Sequence, residues 1–219
     1  RLDGVTGVQT CALPISIARA CGRKVTPMGI SCVIVTHDNA GDIGRCLEAL
    51  FAGDCAPAEV IVVDNASADR TTALIRSFPE VRLIENVTNE GFSRAMNQGI
   101  AVAHGEFILA LNPDAHLTGP ALGRLLAAIE QSPFYGAAAP KLLRDPSTID
   151  CAGIERVGSL YFVNRGEGQA ADGKPFGHPR TVFGASAACA LYRRQMLVSI
   201  RVEEEIFDEH FFAYKDDVD

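Results

Sequence analysis

The stretch ISCVIVTHDNAGDIGRCLEALFAGDCAPAEVIVVDNAS, residues 30–67, holds two apolar runs with one amphipathic segment between them. The runs at 30–36 and 58–64 are nearly continuous and rich in β-branched residues, which is typical of strands buried on both faces. The segment between them carries apolar residues at helical spacing, namely Ile43, Cys46, Leu47, Leu50 and Phe51. A strand, a helix and a strand of these lengths predict a right-handed βαβ unit in a parallel sheet.

The same alternation continues to residue 111. Two further apolar runs, VRLIEN (81–86) and EFILAL (106–111), predict strands, and TTALIRSF and FSRAMNQGIAVA predict helices beside them. The sequence therefore predicts an α/β fold, a Rossmann-like arrangement in which a mostly parallel sheet is flanked by helices. In such sheets ligands bind beyond the carboxyl ends of the strands, so polar residues there are the first candidates for a site.

Beyond residue 116 the pattern changes. GPALGRLLAAIEQS predicts a helix, YGAAAPKLL a strand of small residues, and RVGSLYFVNRG a hairpin. TVFGASAACALYRRQML predicts a strand that enters a helix. The chain ends in FDEHFFAYKDDVD (207–219), where aromatic side chains stand among clustered carboxylates. That combination indicates the wall of a pocket more than a solvated tail, because aromatic side chains stabilise a fold when their area is buried.

Composition argues against several classes of protein. A chain of 219 residues suits one domain, and its net charge of −7 argues against a nucleic-acid binder, which needs a basic surface to meet phosphates. The apolar runs are too short to span a membrane. The seven cysteines are odd in number and show no CxxC spacing, so we expect reduced, mostly buried thiols and a cytoplasmic location.

Residues 1–27 differ from the rest of the chain. They show neither helical nor strand periodicity and lack the long apolar core of a signal peptide. They resemble translated adapter or non-coding DNA, and Met28 precedes the first strongly patterned segment. We therefore expect a non-native or disordered leader at 1–27, before a domain that begins at Met28.

Polar residues cluster where three of the predicted strands end. The first strand runs into Thr36-His37-Asp38-Asn39, the second into Asp64-Asn65-Ala66-Ser67 and the fourth into Asn112-Pro113-Asp114. Asp, Asn and Ser are also the preferred helix caps, and for Asn65 or Ser67 alone that alternative is about equally good. Three carboxylate-bearing ends on one edge, with Gly91 opening a helix beside them, favour a binding site.

The chemistry of this edge suits a nucleoside diphosphate. Asp64 can accept a hydrogen bond from a pyrimidine ring or a ribose hydroxyl. Asp114 can hold a divalent cation, Mg²⁺ or Mn²⁺, because both prefer oxygen ligands and share phosphate oxygens. A glycine at position 91 lets the backbone approach a ligand closely. Neither GxGxxG nor GxxxxGK[ST] occurs, which weakens dinucleotide and P-loop alternatives.

Five segments in order resemble the family 2 glycosyltransferases, particularly the rhamnosyltransferase-like bacterial branch: VIVTHDNAGDIGRCLEAL, VIVVDNAS, NEGFSRAMNQGI, GEFILALNPDA and FDEHFFAYKDDVD. The resemblance covers about residues 30–219. It implies a GT-A fold and an inverting transfer from a nucleotide-activated sugar. Thr36, Asp64 and Asn65 would face the donor nucleoside, and Asp114 would face the metal. The family's acidic pair falls on Asp216 and Asp217, with Asp217 in the position of the catalytic base.

The residues predicted to bind the donor are Thr36, Asp38, Asp64, Asn65, Gly91, Phe92, Asn97 and Asn112. The sequence departs from the family's pattern in three places. His37-Asp38 follows the threonine where Tyr-Asn or His-Asn is usual, one aspartate forms a metal motif that often has two, and Glu204-Glu205-Ile206 replaces Gly-Gly before FDE. The family's pattern also continues past the acidic pair, so we expect a domain truncated at its carboxyl terminus.

The resemblance implies a single domain at 28–219, with a donor-nucleotide half at 28–115 and an incomplete acceptor half at 116–219. It also implies transfer of a sugar from a UDP or dTDP donor, with rhamnose as a candidate. The acceptor would be a hydroxyl of a glycan or of a lipid-linked sugar in cell-envelope polysaccharide synthesis. The enzyme would work in the cytoplasm at the inner face of the membrane, with peripheral membrane contact through the missing carboxyl-terminal part.

Two alternatives stay open at this point. The chain could bind a nucleotide sugar without turnover, as an inactive fragment, or it could be a sugar nucleotidyltransferase. Nucleotidyltransferases generally carry a glycine- and basic-rich loop after the first strand, and THDNAGDIG lacks one.

Overall fold

The computed structural model describes residues 5–12, 29–159 and 161–212. The strands are β1 (Val5–Ala12), β2 (Ile30–Thr36), β3 (Glu59–Asp64), β4 (Val81–Glu85), β5 (Phe107–Leu111), β6 (Tyr135–Asp145), β7 (Thr148–Cys151), β8 (Ile154–Val157), β9 (Tyr161–Asn164), β10 (Thr181–Val182) and β11 (Cys189–Arg193). The helices are α1 (Ile43–Phe51), α2 (Thr71–Ile75), α3 (Phe92–Val102), α4 (Ala121–Ile129) and α5 (Arg194–Ile200), with a short 3₁₀ helix at Lys174–Phe176.

One sheet runs through the described part of the domain in the order β10-β1-β6-β11-β5-β2-β3-β4, with β7 paired to β6. Strands β5, β2, β3 and β4 are parallel, as predicted from the alternation of strands and helices. Strand β11 is antiparallel to both β5 and β6, so the second half of the sheet is mixed. The predicted α/β fold is confirmed, and its parallel part is the half that ends in the candidate site residues.

Strand β2 is buried on both faces because helices cover both sides of the sheet. Cys32 and Ile34 lie in one core with Leu47 of α1. Val33 lies in the other core, with residues of α3. A side chain on Gly99 of α3 would overlap Val33, so a glycine there allows the helix to pack closely on the strand. Burial on both faces explains why the run at 30–36 is apolar without alternation.

The predicted elements of the second half are present. Helix α4 and strand β6 follow one another, and β8 and β9 form the expected hairpin, with Val157 opposite Tyr161. The segment 181–197 differs from its prediction as one strand and a helix. It contains β10 and β11 as separate strands because the chain turns at residues 184–188, where the Cys189 amide donates to the Ser186 carbonyl over 3.1 Å.

Residues 5–12 also differ from their prediction. Strand β1 pairs antiparallel with β6, from Val5 opposite Leu142 to Ala12 opposite Tyr135. Backbone hydrogen bonds between strands need no side-chain periodicity, so a segment without a strand pattern can still pair with a sheet. The rest of 1–27 lies outside the described residues, and its non-native origin stays a prediction.

Cys32, Cys46, Cys151 and Cys189 are buried, as expected for structural thiols. Within the same ranges, no helix combines the length and the apolar character needed to cross a bilayer.

Candidate active site

The carboxyl ends of β2 and β3 lie side by side. Thr36 is the register partner of Asp64, and the Asn65 amide donates a 2.8 Å hydrogen bond to the Thr36 carbonyl. On the other side of β3, the Asn86 amide donates to the Asp64 carbonyl over 2.8 Å. Because parallel strands end at the same edge, the loops after β2, β3, β4 and β5 together form one rim. The structure therefore brings the predicted donor residues of three strands to one place.

Asp64 holds the loop after β3. Only 2% of its surface is exposed, and both carboxylate oxygens accept hydrogen bonds from Ser67. The Ser67 amide donates to Oδ2 over 3.0 Å, and its hydroxyl donates to Oδ1 over 2.5 Å. A carboxylate has about four acceptor sites, so Asp64 keeps capacity for a ligand while it fixes this loop.

Asp38 ties the loop after β2 to the loop after β3. Its φ of 53° is left-handed, a conformation that aspartate tolerates better than most residues. Its amide donates to Ser67 Oγ over 2.9 Å, and its Oδ1 accepts hydrogen bonds from the amides of Ala68 and Asp69 over 2.7 and 3.2 Å. About half of the Asp38 side chain remains exposed, which leaves it at the surface of the rim.

His37 is absent from the predicted set although it lies between two of its members. Its Nδ1 is 2.7 Å from the Asn65 carbonyl oxygen, a contact that requires the proton on Nδ1. Asn39 Oδ1 accepts hydrogen bonds from the His37 amide and from Thr36 Oγ1, both over 3.1 Å. With 45% of its side chain exposed, His37 adds a polar ring to the rim. Its place directly after a buried strand is the sequence signal for it.

Asn65 connects β3 to α3. Its Nδ2 donates to the Gly91 carbonyl over 2.9 Å, and its Oδ1 accepts a 2.8 Å hydrogen bond from Asn86 Nδ2. The helix-cap alternative for Asn65 and Ser67 is wrong, because Asp69 accepts the hydrogen bond of the Thr71 amide at the start of α2. The hydroxyl of Thr71 also donates to Asp69, and this hydrogen bond lowers the pKa of the Asp69 carboxyl.

Asp114 and His116 follow β5 with one residue between them. Among the described residues, neither Asp114 Oδ1 nor His116 Nε2 has a hydrogen-bond partner, although both atoms are buried. Buried polar atoms are normally satisfied, so both atoms are candidates for contact with a ligand. A carboxylate oxygen and an imidazole nitrogen can both bind Mn²⁺. The predicted metal residue therefore fits a divalent cation, and the D-x-H spacing is the sequence signal for His116, which the predicted set lacks.

The described residues hold no cluster of three or more potential metal ligands. Cys46 lies close by, and its thiol donates to the Asn112 carbonyl over 3.6 Å. Burial, with smaller effects from the charges of Asp114 and Asp42, raises the pKa of the Cys46 thiol to about 12. A protonated thiol is neither a nucleophile nor a metal ligand at neutral pH. Phosphate oxygens or water would therefore have to complete the coordination of a cation at Asp114.

Asn112 shapes the turn that carries Asp114. Its amide donates to the Ala188 carbonyl over 2.9 Å, and its carbonyl accepts a hydrogen bond from the Ala115 amide over 3.1 Å. The first bond joins the end of β5 to the start of β11, and the second closes the turn at 112–115. They are backbone contacts, so the side chain of Asn112 stays a predicted donor residue.

Phe92 and Asn97 contact the carboxyl-terminal segment 206–212. The Phe92 amide donates to the Phe212 carbonyl over 2.7 Å, and its ring meets that of Phe207 edge to face at 6.2 Å. Asn97 Nδ2 donates to the Phe207 carbonyl over 2.8 Å. Both residues were predicted to bind the donor, but their observed partners are protein groups. The amide of Asn97 is committed to this segment, and its contact with a donor stays a prediction.

Asp216 and Asp217 lie outside the described residues, so their assignment as the acidic pair stays a prediction. The aromatic residues before them differ in environment. Phe207 is buried, whereas Phe211 and Phe212 are 37% and 59% exposed. Phe211 and Phe212 therefore lie outside the core, and their rings are open to a ligand.

A comparison with known protein families finds a match over the region that contains this site. Residues 31–201 match the family described as glycosyl transferase family 2. This range includes β2 from its second residue, β3 to β5, the donor-side loops, and the Asp114–His116 pair.

Three curated bacterial proteins are similar in sequence. The succinoglycan biosynthesis protein ExoO of Rhizobium meliloti is 36% identical over 49% of this chain and 31% of its own length. An N-acetylglucosaminyl-diphospho-decaprenol L-rhamnosyltransferase of Mycobacterium tuberculosis is 28% identical over 85% of this chain and 67% of its own. The O-antigen biosynthesis protein RfbC of Myxococcus xanthus is 31% identical over 99% of this chain and 17% of its own. The alignments with ExoO and RfbC thus span less than a third of those relatives.

Two solved structures resemble part of the chain. TarS (residues 1–349) of S. aureus superposes with a TM-score of 0.44 at 26% identity, over 48% of this chain and 33% of that one. The mannosyltransferase PcManGT of Pyrobaculum calidifontis, solved with GDP-Man and Mn²⁺, superposes with a TM-score of 0.46 at 26% identity, over 49% and 34%.

Proposed function

Because the chain belongs to glycosyl transferase family 2, we propose that it transfers a sugar from a nucleoside-diphosphate donor to a hydroxyl group, with inversion at the anomeric carbon. Its domain has the GT-A fold expected from the sequence. The observation that carries the proposal is that Asp114 Oδ1 and His116 Nε2, on the rim that also holds Asp64, are buried and have no hydrogen-bond partner among the described residues. A rim of this kind suits a diphosphate that arrives with a cation.

The donor nucleoside would lie over the ends of β2 and β3. Asp64 is preorganised for this role, because Ser67 holds both of its oxygens in place and the carboxylate retains acceptor capacity. Asp38 and His37 are exposed beside it. Asp38 offers a carboxylate as a hydrogen-bond acceptor, and His37 offers an imidazole ring. An acceptor at this position would select bases with a ring N–H, which among the pyrimidines favours uracil or thymine over cytosine. The proposed donors are therefore UDP- or dTDP-sugars.

Asp114 and His116 would hold the divalent cation, either Mg²⁺ or Mn²⁺. A bound cation supplies Lewis-acid charge that offsets the negative charge on a departing diphosphate. The imidazole of His116 favours Mn²⁺ over Mg²⁺, because Mg²⁺ is bound mainly by oxygen.

The chemical step needs a base for the acceptor hydroxyl, which is a weak nucleophile. In the proposed reaction Asp217 takes the hydroxyl proton as the oxygen bonds to the anomeric carbon, and Asp216 supports it. The bond from that carbon to the phosphate oxygen breaks, and its electron pair leaves with the diphosphate. Attack opposite the leaving group inverts the configuration. The exposed rings of Phe211 and Phe212, just before the pair, would pack against a sugar face.

The names of the relatives support an envelope polysaccharide as the product. One is a rhamnosyltransferase that acts on a lipid-linked sugar, and two others are named for succinoglycan and O-antigen synthesis. We therefore propose rhamnose as a candidate sugar, a glycan or lipid-linked acceptor, and work on the cytoplasmic side of the membrane with peripheral contact.

Release of nucleoside diphosphate from UDP- and dTDP-sugars tests this function. We expect release that depends on Mn²⁺ or Mg²⁺ and rises when a lipid-linked or soluble sugar acceptor is added. The anomeric configuration of the product, read by NMR, should be opposite to that of the donor. Donor binding without release would indicate a binding protein. Release of pyrophosphate from a nucleoside triphosphate and a sugar phosphate would indicate a nucleotidyltransferase.

A further inference from the structure

Asn97, in the middle of α3, is bonded to a segment more than a hundred residues away. Its Nδ2 donates to the Phe207 carbonyl over 2.8 Å and to Glu209 Oε1 over 3.2 Å. Its Oδ1 accepts hydrogen bonds from the amides of Ile206 and Phe207 over 3.3 and 3.0 Å. One short side chain thus engages the segment through both its donor and its acceptor, which fixes the segment in direction as well as in distance.

A second attachment lies one turn earlier, at the start of α3. The Phe92 amide donates to the Phe212 carbonyl over 2.7 Å. Gly91 makes room for this contact, because a Cβ at position 91 would stand 2.7 Å from the Phe212 carbonyl oxygen and 2.9 Å from its ring. Its φ of 82° and ψ of 170° lie in a region that is essentially restricted to glycine.

Hydrogen bonds, more than packing, hold the end of this segment. Phe207 is buried between the rings of Phe92 and Tyr192, at centroid distances of 6.2 and 6.3 Å. Beyond it, Phe211 and Phe212 are partly exposed. Apolar burial therefore anchors position 207 but not position 212, and the two attachments on α3 supply the rest of the restraint.

The start of α3 is bonded to the donor side of the domain as well. Asn65 Nδ2 donates to the Gly91 carbonyl over 2.9 Å, so one peptide segment touches both the end of β3 and residue 212. We propose that Asn97 and Gly91 form a clamp, here the α3 clamp, that positions segment 206–212, which precedes the proposed base Asp217 in the chain, relative to the bound donor. This inference rests on the proposed function, since it makes Asn97 a positioning residue for sugar transfer.

A catalytic base needs a precise position, and such a clamp would supply it. Asp217, the proposed base, follows Phe212 by five positions in the sequence. Phe212 is held at the start of α3, which Asn65 joins to the donor loops, so segment 206–212 ends beside the proposed donor site. A base must sit within about 0.5 Å of its productive position, and a displacement of about 1 Å can lower a rate by about 100-fold. Loss of the clamp would therefore act on turnover more than on donor affinity.

Asn97→Ala in the full chain tests the proposal, with Arg82→Ala as the matched control. Arg82 contacts the Val102 carbonyl at the opposite end of α3 over 3.5 Å and is exposed. Three quantities are measured for each protein: hydrogen–deuterium exchange of residues 206–212, donor Kd by calorimetry, and kcat for sugar transfer. For Asn97→Ala we expect exchange at least tenfold faster, a Kd within about twofold of the parent, and kcat lower by about 100-fold. Arg82→Ala should leave all three unchanged.

Asn97→Asp provides a second variant in case alanine weakens the fold as a whole. Aspartate keeps the acceptor for the two amides, but it places a carboxylate against the Phe207 carbonyl and Glu209. It should also lower kcat with little change in Kd. Unchanged exchange in Asn97→Ala, or faster exchange with an unchanged kcat, would overturn the proposal. If the parent chain binds no nucleotide sugar, the proposed function fails, whereas the exchange measurement still decides whether Asn97 holds the segment.

Discussion

Asn65 Nδ2 and the carbonyl oxygen of Gly91 are 2.9 Å apart and form a buried hydrogen bond between the end of β3 and the start of α3. Asn65 is 2% exposed, and its Oδ1 is bonded to Asn86. The bond therefore makes the first turn of α3 part of the same rigid edge as the donor loops. Substitutions on this edge have consequences that can be separated by measurement.

Gly91→Ala should destabilise the protein. The backbone at position 91 has a φ of 82° that alanine rarely adopts, and the new Cβ would meet the Phe212 carbonyl oxygen at 2.7 Å. We expect a loss of about 1–3 kcal/mol, or about 2–4 °C in melting temperature for each kcal/mol. Gly44→Ala is the control, since a Cβ at position 44 of α1 meets open space. That change should raise stability by about 0.5–1 kcal/mol. Equal effects of the two substitutions would contradict this prediction.

Ser67→Ala tests whether Ser67 holds the Asp64 carboxylate in place. The substitution removes the 2.5 Å hydrogen bond to Asp64 Oδ1 and the acceptor for the Asp38 amide. A buried group that loses its partner costs about 1–3 kcal/mol, which thermal unfolding would detect. Ser77→Ala removes an exposed hydroxyl bonded to Leu74 and should change stability by less than about 0.5 kcal/mol. No difference between the two variants would show that Ser67 does not support Asp64.

Glu59 gives a prediction for acid conditions. Burial raises the pKa of its carboxyl, but hydrogen bonds from Ser31 and His104 outweigh burial, so the pKa lies below its usual value. A lowered folded pKa stabilises the protein above the unfolded pKa, about 4.3, and this contribution is lost as pH falls through the folded value.

The melting temperatures of the parent and Glu59→Gln should therefore differ most near pH 7 and converge towards pH 3. Glu48→Gln, at an exposed position on α1, serves as the control. A Glu59→Gln difference that stays constant across this range would contradict the assignment.

His116→Ala should weaken Mn²⁺ binding in the presence of nucleoside diphosphate. The buried Nε2 has no hydrogen-bond partner among the described residues, so its removal leaves none of their polar groups unpaired. We expect at least a tenfold loss of metal affinity, equivalent to about 1.4 kcal/mol, by calorimetry or by electron paramagnetic resonance of free Mn²⁺. His178→Ala, an exposed position, is the matched control. Equal Mn²⁺ affinity in both variants would remove His116 from the proposed site.

The sequence was sufficient for the parallel half of the fold. The apolar runs at 30–36, 58–64, 81–86 and 106–111 match β2 to β5 within one residue at each end. Burial on both faces produces such runs directly, so pattern and structure coincide. Strand β1 could not be predicted, because its place in the sheet depends on backbone pairing with β6 and its residues carry no strand pattern.

The candidate site was only partly predictable. The positions of Asp64 and Asp114 followed from where strands end, but the roles of Ser67 and Asn97 did not. Ser67 supports Asp64 from three residues away, and Asn97 meets Phe207 from 110 residues away. The helical pattern of the sequence predicts which face of α3 carries Asn97, but it does not predict that Phe207 is its partner. His116 could have been found from its spacing to Asp114, since both can be metal ligands.

The most direct measurement of the central claim is calorimetric titration of the parent chain and of Asp114→Asn with UDP, dTDP, GDP and ADP, each with and without Mn²⁺. Asp114 Oδ1 is buried without a hydrogen-bond partner among the described residues, as expected for a metal ligand. We predict that the parent binds UDP or dTDP at least tenfold more tightly than GDP and ADP, and only when Mn²⁺ is present. Asp114→Asn should lose most of this metal-dependent affinity. Equal affinity for all four nucleotides, or binding that is unchanged by Mn²⁺ and by Asp114→Asn, would contradict the account.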